Sequence, residues 1–490
     1  MTKQKGEGVY NVVVIGAGTA GLVTAAGTAG LGGRVALIER NKMGGDCLNF
    51  GCVPSKALIS SARLIQQIRD AEKWGLDRQA PQFVFERVFD RMRARRAKIA
   101  PNDSQERFES LGVDVFRGEA HFISPGEVEV DGQRLRAKNF VIATGSRAVI
   151  PEIQGIDTIP YFTNETIFDE LKEKPESTIV LGGGPIGCEL GQTLSRLGVK
   201  VTIVEYGPQI LAPEDVDVAE LMQQRFEAEG VTVHTCTEAK RVFLRDGVIT
   251  FEANYKPVGA PASSPAKFSG HALLLAMGRC PMMKALNLDA AGVRYTPNGV
   301  EVNDYMQTSQ PHIYAAGDIA NRLKFTHTAD FTARVVVRNI LMPFQFLRQK
   351  IACAIVPWCT YTDPEVAHVG LGEKEAKQKS IEYDLFVVPL EDVDRAVVES
   401  EETGFAKILT AKGSNKILGA TIVAPHAGDL LHEFVLAMSA KIGLGKIAST
   451  IHAYPTFAEL ARKAGDKYNK TRLTPRAKKI FTWLYRNARK

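Results

Sequence analysis

Two cysteines with four residues between them, Cys47 and Cys52, lie in the run GGDCLNFGCVPSKALI that begins at Gly44. Cysteines so spaced serve either a metal or a redox reaction. A metal site needs a second pair or histidines at ligand spacing, and no such cluster is near, so no metal is expected. Pro54 and Ser55 suit the start of a helix, which places Cys52 near a helix N-terminus, where the dipole favours a thiolate and lowers its pKa. A redox-active disulfide is the chemistry these residues can carry.

Two segments that repeat one design must position that pair. Val12 to Ile15 and Thr178 to Leu181 read as strands, and each runs into the G-x-G-x-x-G pattern: Gly16, Gly18 and Gly21 in the first, Gly182, Gly184 and Gly187 in the second. A small-residue helix follows, then a second strand ending in Glu39 or Glu205, each 23 residues after the first glycine of its loop. A strand before, a helix after and an acid near this offset are the context a dinucleotide-binding loop requires. The glycines let the backbone approach a pyrophosphate, and the helix N-terminus supplies amide donors, so all six glycines are candidate cofactor-binding residues. Glu39 would accept from ribose hydroxyls. Glu205 would repel a 2′-phosphate and favour NADH over NADPH.

The 490 residues suggest about three domains. With 45% hydrophobic and 24% charged residues, the chain has the balance of a folded soluble protein. Seven cysteines are too few, and odd in number, for a secreted disulfide scaffold, so a reducing cytoplasm is expected. Residues 12–33 lack charge, but seven glycines argue against a membrane span or signal peptide. The net charge of +6 comes from residues 467–490, which hold nine Lys/Arg and no Asp/Glu, so nucleic-acid binding is not expected. In that tail Ala477, Ile480, Phe481, Leu484 and Ala488 recur at helical spacing among Lys478, Lys479, Arg486, Arg489 and Lys490. A short basic amphipathic helix follows, with membrane-surface contact as one use for it.

Between these landmarks, Leu58 to Glu109 is helical in period, and the run Arg91, Arg93, Arg95, Arg96, Lys98 reads as its solvated face. Residues 113–143 read as short strands ending in Phe140 to Ala143. Residues 256–270 read as an exposed hairpin insertion. A helix is expected from Ala329, then strands at Leu385 to Pro389, Ala406 to Leu409 and Ile417 to Val423, followed by helices. Cys188, Cys236, Cys280 and Cys353 read as core residues.

These motifs resemble the flavoprotein disulfide reductases, the family of dihydrolipoamide dehydrogenase, glutathione reductase and mercuric reductase. The likeness covers nearly the whole chain: the redox motif at 44–56, both glycine loops, Ala143-Thr144-Gly145, Gly278-Arg279 with Pro281, and Tyr314 to Asp318 fall in family order. The resemblance implies an α/β fold with two Rossmann-like domains and a C-terminal α+β dimerisation domain. Residues 1–155 and 285–350 would form the FAD-binding domain, 156–284 the NAD-binding domain, 351–466 the dimerisation domain, and 467–490 the basic tail. It implies FAD in the first loop and NAD(H) in the second, NADP(H) being disfavoured, with Gly44, Gly45, Lys56, Ala120, Thr144, Gly145, Gly278, Arg279, Gly317 and Asp318 among the cofactor contacts. Cys52 would be the flavin-facing thiolate and Cys47 the interchange thiol. Lys56 would pair with Glu189 beside the reactive flavin nitrogen. The working unit would be a homodimer acting on a small disulfide or thiol-bound substrate.

Departures from the family pattern narrow the substrate. The closing motif reads His452-Ala453-Tyr454-Pro455-Thr456 with Glu459. Tyr454 stands where disulfide reductases place a general-base histidine, as in mercuric reductase and its relatives, and His327 and His452 are further candidate polar residues near the site. Yet the last cysteine is Cys359, so the C-terminal cysteine pair of mercuric reductases is missing, and no amino-terminal heavy-metal domain is expected. Asp46 replaces the usual threonine beside Cys47 and should oppose thiolate formation there. Besides an NADH-dependent disulfide oxidoreductase, the resemblance leaves open a mercuric reductase, a dihydrolipoamide dehydrogenase and an electron-transfer subunit for a membrane partner.

Overall fold

A computed structural model describes residues 5–6, 8–320, 323–352 and 354–488. They fall into two compact units, the first of residues 1–62, 82–206 and 237–354, the second of 63–81, 207–236 and 355–490.

In the first unit, β1 (Val9–Ile15) leads through the first glycine loop into α1 (Thr19–Gly30) and β2 (Val35–Glu39). Then come α2 (Gly45–Asn49), α3 (Cys52–Arg69) and α4 (Phe85–Ile99). Strands β3 (Val113–Arg117), β4 (Ala120–Ser124), β5 (Glu127–Val130) and β6 (Gln133–Ile142) complete a sheet of order β3-β2-β1-β6-β5-β4, with Ile313–Ala315 also on β6. Val12, Val13 and Val14 are fully buried, as a parallel strand covered on both faces requires. Register matters most here. Ile15 pairs with both Ile38 and Ile142, and Ile142 with Ala315, so these strands end level. Their carboxyl ends deliver Gly16, Glu39, Thr144 and Asp318 to one crevice, where ligands bind open α/β sheets.

The second glycine loop repeats this arrangement. β7 (Ser177–Leu181), α5 (Pro185–Arg196), β8 (Lys200–Val204) and β9 (Ala272–Leu275) form parallel pairs, with Leu181 opposite both Val204 and Leu275. Gly16 and Gly182 take φ of +104° and +113°, and a Cβ on either would lie 2.5 Å from a carbonyl oxygen, of Ala143 and Ala276 respectively. Only glycine fits both demands. Residues 264–270 form the third strand of an antiparallel sheet with 237–245 and 248–255, so the exposed insertion shrinks to the turn at 256–263. Helix α6 (Thr326–Leu341) starts three residues before the expected Ala329.

The basic run on α4 is only partly a solvated face. Arg91 donates to the Ala57 carbonyl on α3 at 2.8 Å, and Arg96 turns inward to Asp169 at 2.5 Å and to the Asn49 carbonyl at 3.0 Å. Arg93 donates to Asp90 and Phe168, leaving Arg95 and Lys98 exposed. Residues around the redox turn need cationic anchors, which composition alone cannot distinguish from surface charge. Cys188 is buried, but Cys236 and Cys280 are only half-buried, one at a positive-φ turn and the other on the short strand Arg279–Pro281. Cys353, Arg489 and Lys490 lie outside the described residues.

The second unit holds an antiparallel sheet of β10 (Pro357–Thr360), β11 (Glu365–Gly370), β12 (Tyr383–Pro389), β13 (Phe405–Ala411) and β14 (Ile417–Ala424), in the order β10-β11-β14-β13-β12. Helices α7 (His432–Ser439), α8 (Leu444–Ala448) and α9 (Glu459–Thr471) supply Phe434, Leu444, Ile447 and Leu460 to its core. Helix α10 (Pro475–Asn487) follows. Among the described residues, no helix is long and apolar enough to cross a membrane.

Candidate active site

The redox turn is built on the first glycine loop. The Gly44 N–H donates to the Ala17 carbonyl at 3.0 Å, and the Asn49 side chain donates to the carbonyls of Met43 and Gly45, both at 2.9 Å. α2 thereby carries Cys47, while Cys52 is the first residue of α3. Both are free thiols here. The Cys52 sulfur lies 3.2 Å from Oγ1 of Thr326, itself the first residue of α6. One helical turn on, Lys56 Nζ meets Glu189 Oε2 of α5 at 2.8 Å, the lysine 35% exposed and the glutamate 7%. A half-buried cation and a buried carboxylate from the two glycine-loop halves are thus brought together next to the sulfurs.

The environment splits the two thiols. The hydrogen bond from Cys47 draws Cys52 down to about 6 against its burial, with Thr326 and the Lys56 charge acting in the same direction. Cys47 goes the other way: it keeps the proton it donates to Cys52, and burial, the Cys52 charge and the Asp46 carboxylate add to that. One proton shared between two sulfurs favours the thiolate on Cys52. The helix N-terminus supports the same assignment.

Asp46 is itself held. Arg279 Nη2 lies 3.1 Å from its Oδ1, and Asn164 donates to that atom at 3.2 Å. Arg279 also donates to the hydroxyl and carbonyl of Ser146 at 2.8 and 2.9 Å and sits 3.8 Å from Asp318, which accepts from the Ser146 hydroxyl at 2.6 Å. Burial pushes the Asp318 carboxyl up, against these partners. Asp46, Arg279, Ser146 and Asp318 thus link the redox turn to the carboxyl end of the first sheet. Sequence reasoning did not find Thr326, Asn164 or Ser146. Thr326 precedes the apolar period of α6, so no pattern in the sequence marked it.

The glycine loops fit dinucleotides. α1 and α5 begin at Gly18 and Gly184 with no capping side chain and no acid in the first turn, which leaves their N–H groups for an anion. Gly145, Gly184 and Gly278 face open space where a side chain would intrude. Glu39 accepts from the Ala17 N–H at 2.6 Å, and Glu205 from the Gly183 N–H at 2.6 Å, so each carboxylate is fixed at its loop. Thr144 donates to the Met282 carbonyl, and Gly317 opens the short turn that carries Asp318.

Three of the expected cofactor-binding residues also have a packing role. Gly21 and Gly187, the third glycines of the two loops, are buried within α1 and α5. A Cβ on Gly21 would lie 1.7 Å from the Gly16 carbonyl oxygen and 3.4 Å from Val14, and one on Gly187 would lie 1.9 Å from the Gly182 carbonyl oxygen and 3.2 Å from Val180. Their lack of a side chain lets each helix close onto its own loop and strand, which shapes the cradle. The spacing of the motif marks all three glycines alike and does not separate packing from contact. The Ala120 side chain is buried in the sheet core, which leaves its backbone to meet a ligand.

Residues 10–333 match the pyridine nucleotide-disulphide oxidoreductase family, and residues 356–464 match that family's dimerisation domain. The chain belongs to this family. It is 32% identical to mercuric reductase of Bacillus cereus over 92% of this chain and 70% of that one. It is 33% identical to dihydrolipoyl dehydrogenase of Geobacillus stearothermophilus over 93% and 95%. Among solved structures, the HOCl-induced flavoprotein disulfide reductase RclA of Escherichia coli superposes with a TM-score of 0.81 at 26% identity, covering 93% of this chain and 99% of that one. The protein is therefore an FAD-dependent oxidoreductase that works with NAD(P)H.

The closing motif lies in the second unit. Tyr454 is 69% exposed and donates to Asp394 at 2.8 Å, a bond that raises its pKa further. Glu459 is buried; one carboxylate oxygen accepts from Arg462 at 2.8 Å and the other, Oε2, has no hydrogen-bond partner among the described residues. His452 is taken up by Glu433 at 2.9 Å and by the Thr450 carbonyl, while His327 stacks on Phe325.

Proposed function

We propose that the enzyme passes electrons from NADH through FAD to a Cys47–Cys52 disulfide and on to a disulfide or thiol-bound substrate. The observation that carries this reading is the sulfur pair whose environment makes Cys52 the thiolate and keeps the proton on Cys47. When bound, FAD supplies a two-electron relay between the nicotinamide and that pair. Lys56, held by Glu189, places a fixed positive charge beside it. Cys47, once deprotonated, attacks the substrate disulfide and releases one thiol, and Cys52 then displaces the second and restores the enzyme disulfide. The balance is NADH, a proton and one disulfide giving NAD⁺ and two thiols. The dimerisation domain supports a homodimer, in which Tyr454 of one protomer would approach Cys47 of the other. Anaerobic NADH titration with thiol counting tests the pair: two new thiols per two electrons are expected, and reduction without new thiols would reject it. A panel of disulfides, lipoamide and Hg(II) in excess thiol, followed by NADH loss, then assigns the substrate.

Glu205 supports a preference for NADH. Its carboxylate is fixed on the Gly183 N–H, and a 2′-phosphate bound beside that loop would meet like charge. NADH should exceed NADPH by at least about tenfold in kcat/KM, a difference of about 1.4 kcal/mol, and Glu205→Ala should narrow the gap. Equal efficiency in the unmodified enzyme would refute this.

Tyr454 supports slow exchange at neutral pH. Its hydroxyl is engaged by Asp394 and its pKa lies above the ordinary value of about 10, so it is a poor base for Cys47. The free Oε2 of Glu459 leaves an acceptor that could orient an imidazole. Tyr454→His should therefore raise turnover of simple disulfides at pH 7 about tenfold or more, with flavin reduction by NADH unchanged in stopped flow. Rapid turnover in the unmodified enzyme that neither Tyr454→His nor Tyr454→Phe alters would remove this role.

A further inference from the structure

Helix α10 carries none of the residues assigned to the redox site, yet it displays a group of exposed apolar side chains. Thr474 caps it by accepting from the Ala477 N–H, and Pro475 opens its first turn, so the helix has its own start signal. Over 13 residues, about 20 Å, it exposes Ile480, Phe481, Trp483, Leu484 and Tyr485, each 48–71% accessible. At about 100° per residue, Ile480, Leu484, Ala477 and Phe481 occupy one arc. Tyr485 and Trp483 lie outside it on opposite sides, between that arc and Lys478 or Lys479. Lys478, Lys479 and Arg486 fill the far face. Amphipathic aromatic rings between an apolar strip and a basic face match the depth profile of a lipid headgroup layer.

We propose that α10 docks the enzyme on the surface of an anionic lipid bilayer, lying in the interface with Ile480, Phe481 and Leu484 inward. Charge decides between occupants. Residues 467–490 hold nine Lys/Arg and no acid, while the remaining chain carries three more acidic than basic residues. A second α10 packed on the first would set lysine against lysine with no carboxylate between them. A nucleic-acid phosphate backbone would match the cations but leave Phe481 and Leu484 in water. A sheet of anionic headgroups over acyl chains satisfies both faces. Docking there would hold a thiol–disulfide enzyme beside membrane-associated substrates.

The test is sedimentation of the purified full-length flavoprotein with phosphatidylglycerol–phosphatidylcholine vesicles and with phosphatidylcholine vesicles alone. Binding to the anionic vesicles should exceed the neutral ones at least about tenfold at low salt and fall as salt rises. The double variant Lys478→Glu/Lys479→Glu, and separately Phe481→Glu, should each lose about tenfold or more, while Phe481→Leu keeps binding. NADH-dependent turnover and flavin absorbance should be unchanged in all of them, which separates lost docking from lost folding. Absent binding to anionic vesicles, equal binding to neutral ones, or an α10-dependent self-association that vesicles do not compete with would each overturn the proposal.

Discussion

Cys47→Ser enzyme is expected to show long-wavelength thiolate-to-flavin absorbance before any reduction, and Cys52→Ala enzyme to lack it under all conditions. Both should lose disulfide-coupled NADH oxidation by about a thousandfold or more, because removing either member of a unit that acts together removes nearly all of its effect. The band carries a sign that activity does not. A thiolate drawn down to about 6 persists at neutral pH and disappears as pH falls through that value. Since the bond from Cys47 is the largest influence holding Cys52 down, Cys47→Ala should move the midpoint upward more than Cys47→Ser, whose hydroxyl can still donate. Thr326→Ala and Lys56→Met should shift it the same way by smaller steps. A band kept in Cys52→Ala and lost in Cys47→Ser would reverse the roles of the two sulfurs.

The second large effect is expected in the second unit, far in sequence from the cysteines. Lys407 on β13 is 2% exposed and surrounded by Asp215 at 2.9 Å, Asp217 at 3.0 Å and Glu373 at 2.7 Å. Burial alone would pull its pKa down, but the three carboxylates hold it well above the ordinary value. Burial likewise works against Asp215 and Glu373, and Lys407 outweighs it, so both carboxyls stay below their ordinary values. Lys407→Met would leave buried carboxylates without their cation, a loss of about 3 kcal/mol after allowing for the exposure of Asp217. Carboxyls lowered on folding contribute stability above about pH 4 and lose it as pH falls through the lowered values. The gap between the unmodified protein and Lys407→Met should therefore be widest near neutral pH and narrow in acid. Urea unfolding followed by tryptophan fluorescence measures it, because Trp74, Trp358 and Trp483 all lie in the second unit. A loss under about 1 kcal/mol at pH 7, or one that grows in acid, would mean the cluster is not a single electrostatic unit.

What was legible in the sequence was what backbone chemistry dictates. Gly16 and Gly182 had to be glycine for conformational reasons, and the acids at Glu39 and Glu205 followed from the distance between neighbouring strand ends. Gly21 and Gly187 were legible as glycines, while their packing against the Gly16 and Gly182 carbonyls was not, because a spacing pattern is blind to which side of the helix a missing side chain would have faced. Cys47, Cys52, Lys56 and Glu189 were found because family motifs mark them, and the first unit brings all four together. Long-range side-chain partnerships left no such mark. Arg96 belongs to a basic run that reads as solvated surface, yet Asp169, 73 residues on, and the Asn49 carbonyl turn it inward. Thr326 was missed because α6 starts earlier than its apolar period suggests. β10 and β11 were passed over, and Lys407 lies in a strand whose neighbours are apolar, with nothing nearby to announce its carboxylates.

The separation between Asp215 and Lys407 also has a consequence for the order of synthesis. They are 192 residues apart, so at about 5–20 residues per second the carboxylate leaves the ribosome about 10–40 s before its cation exists. During that interval residues 207–236 cannot settle into the second unit, which is completed only by the segment from 355 onward. The nascent chain can pair β7 with β8 and β9 during that interval, before the segment from 355 onward exists. Chains truncated before β13 should therefore leave Asp215 and Asp217 without their cation.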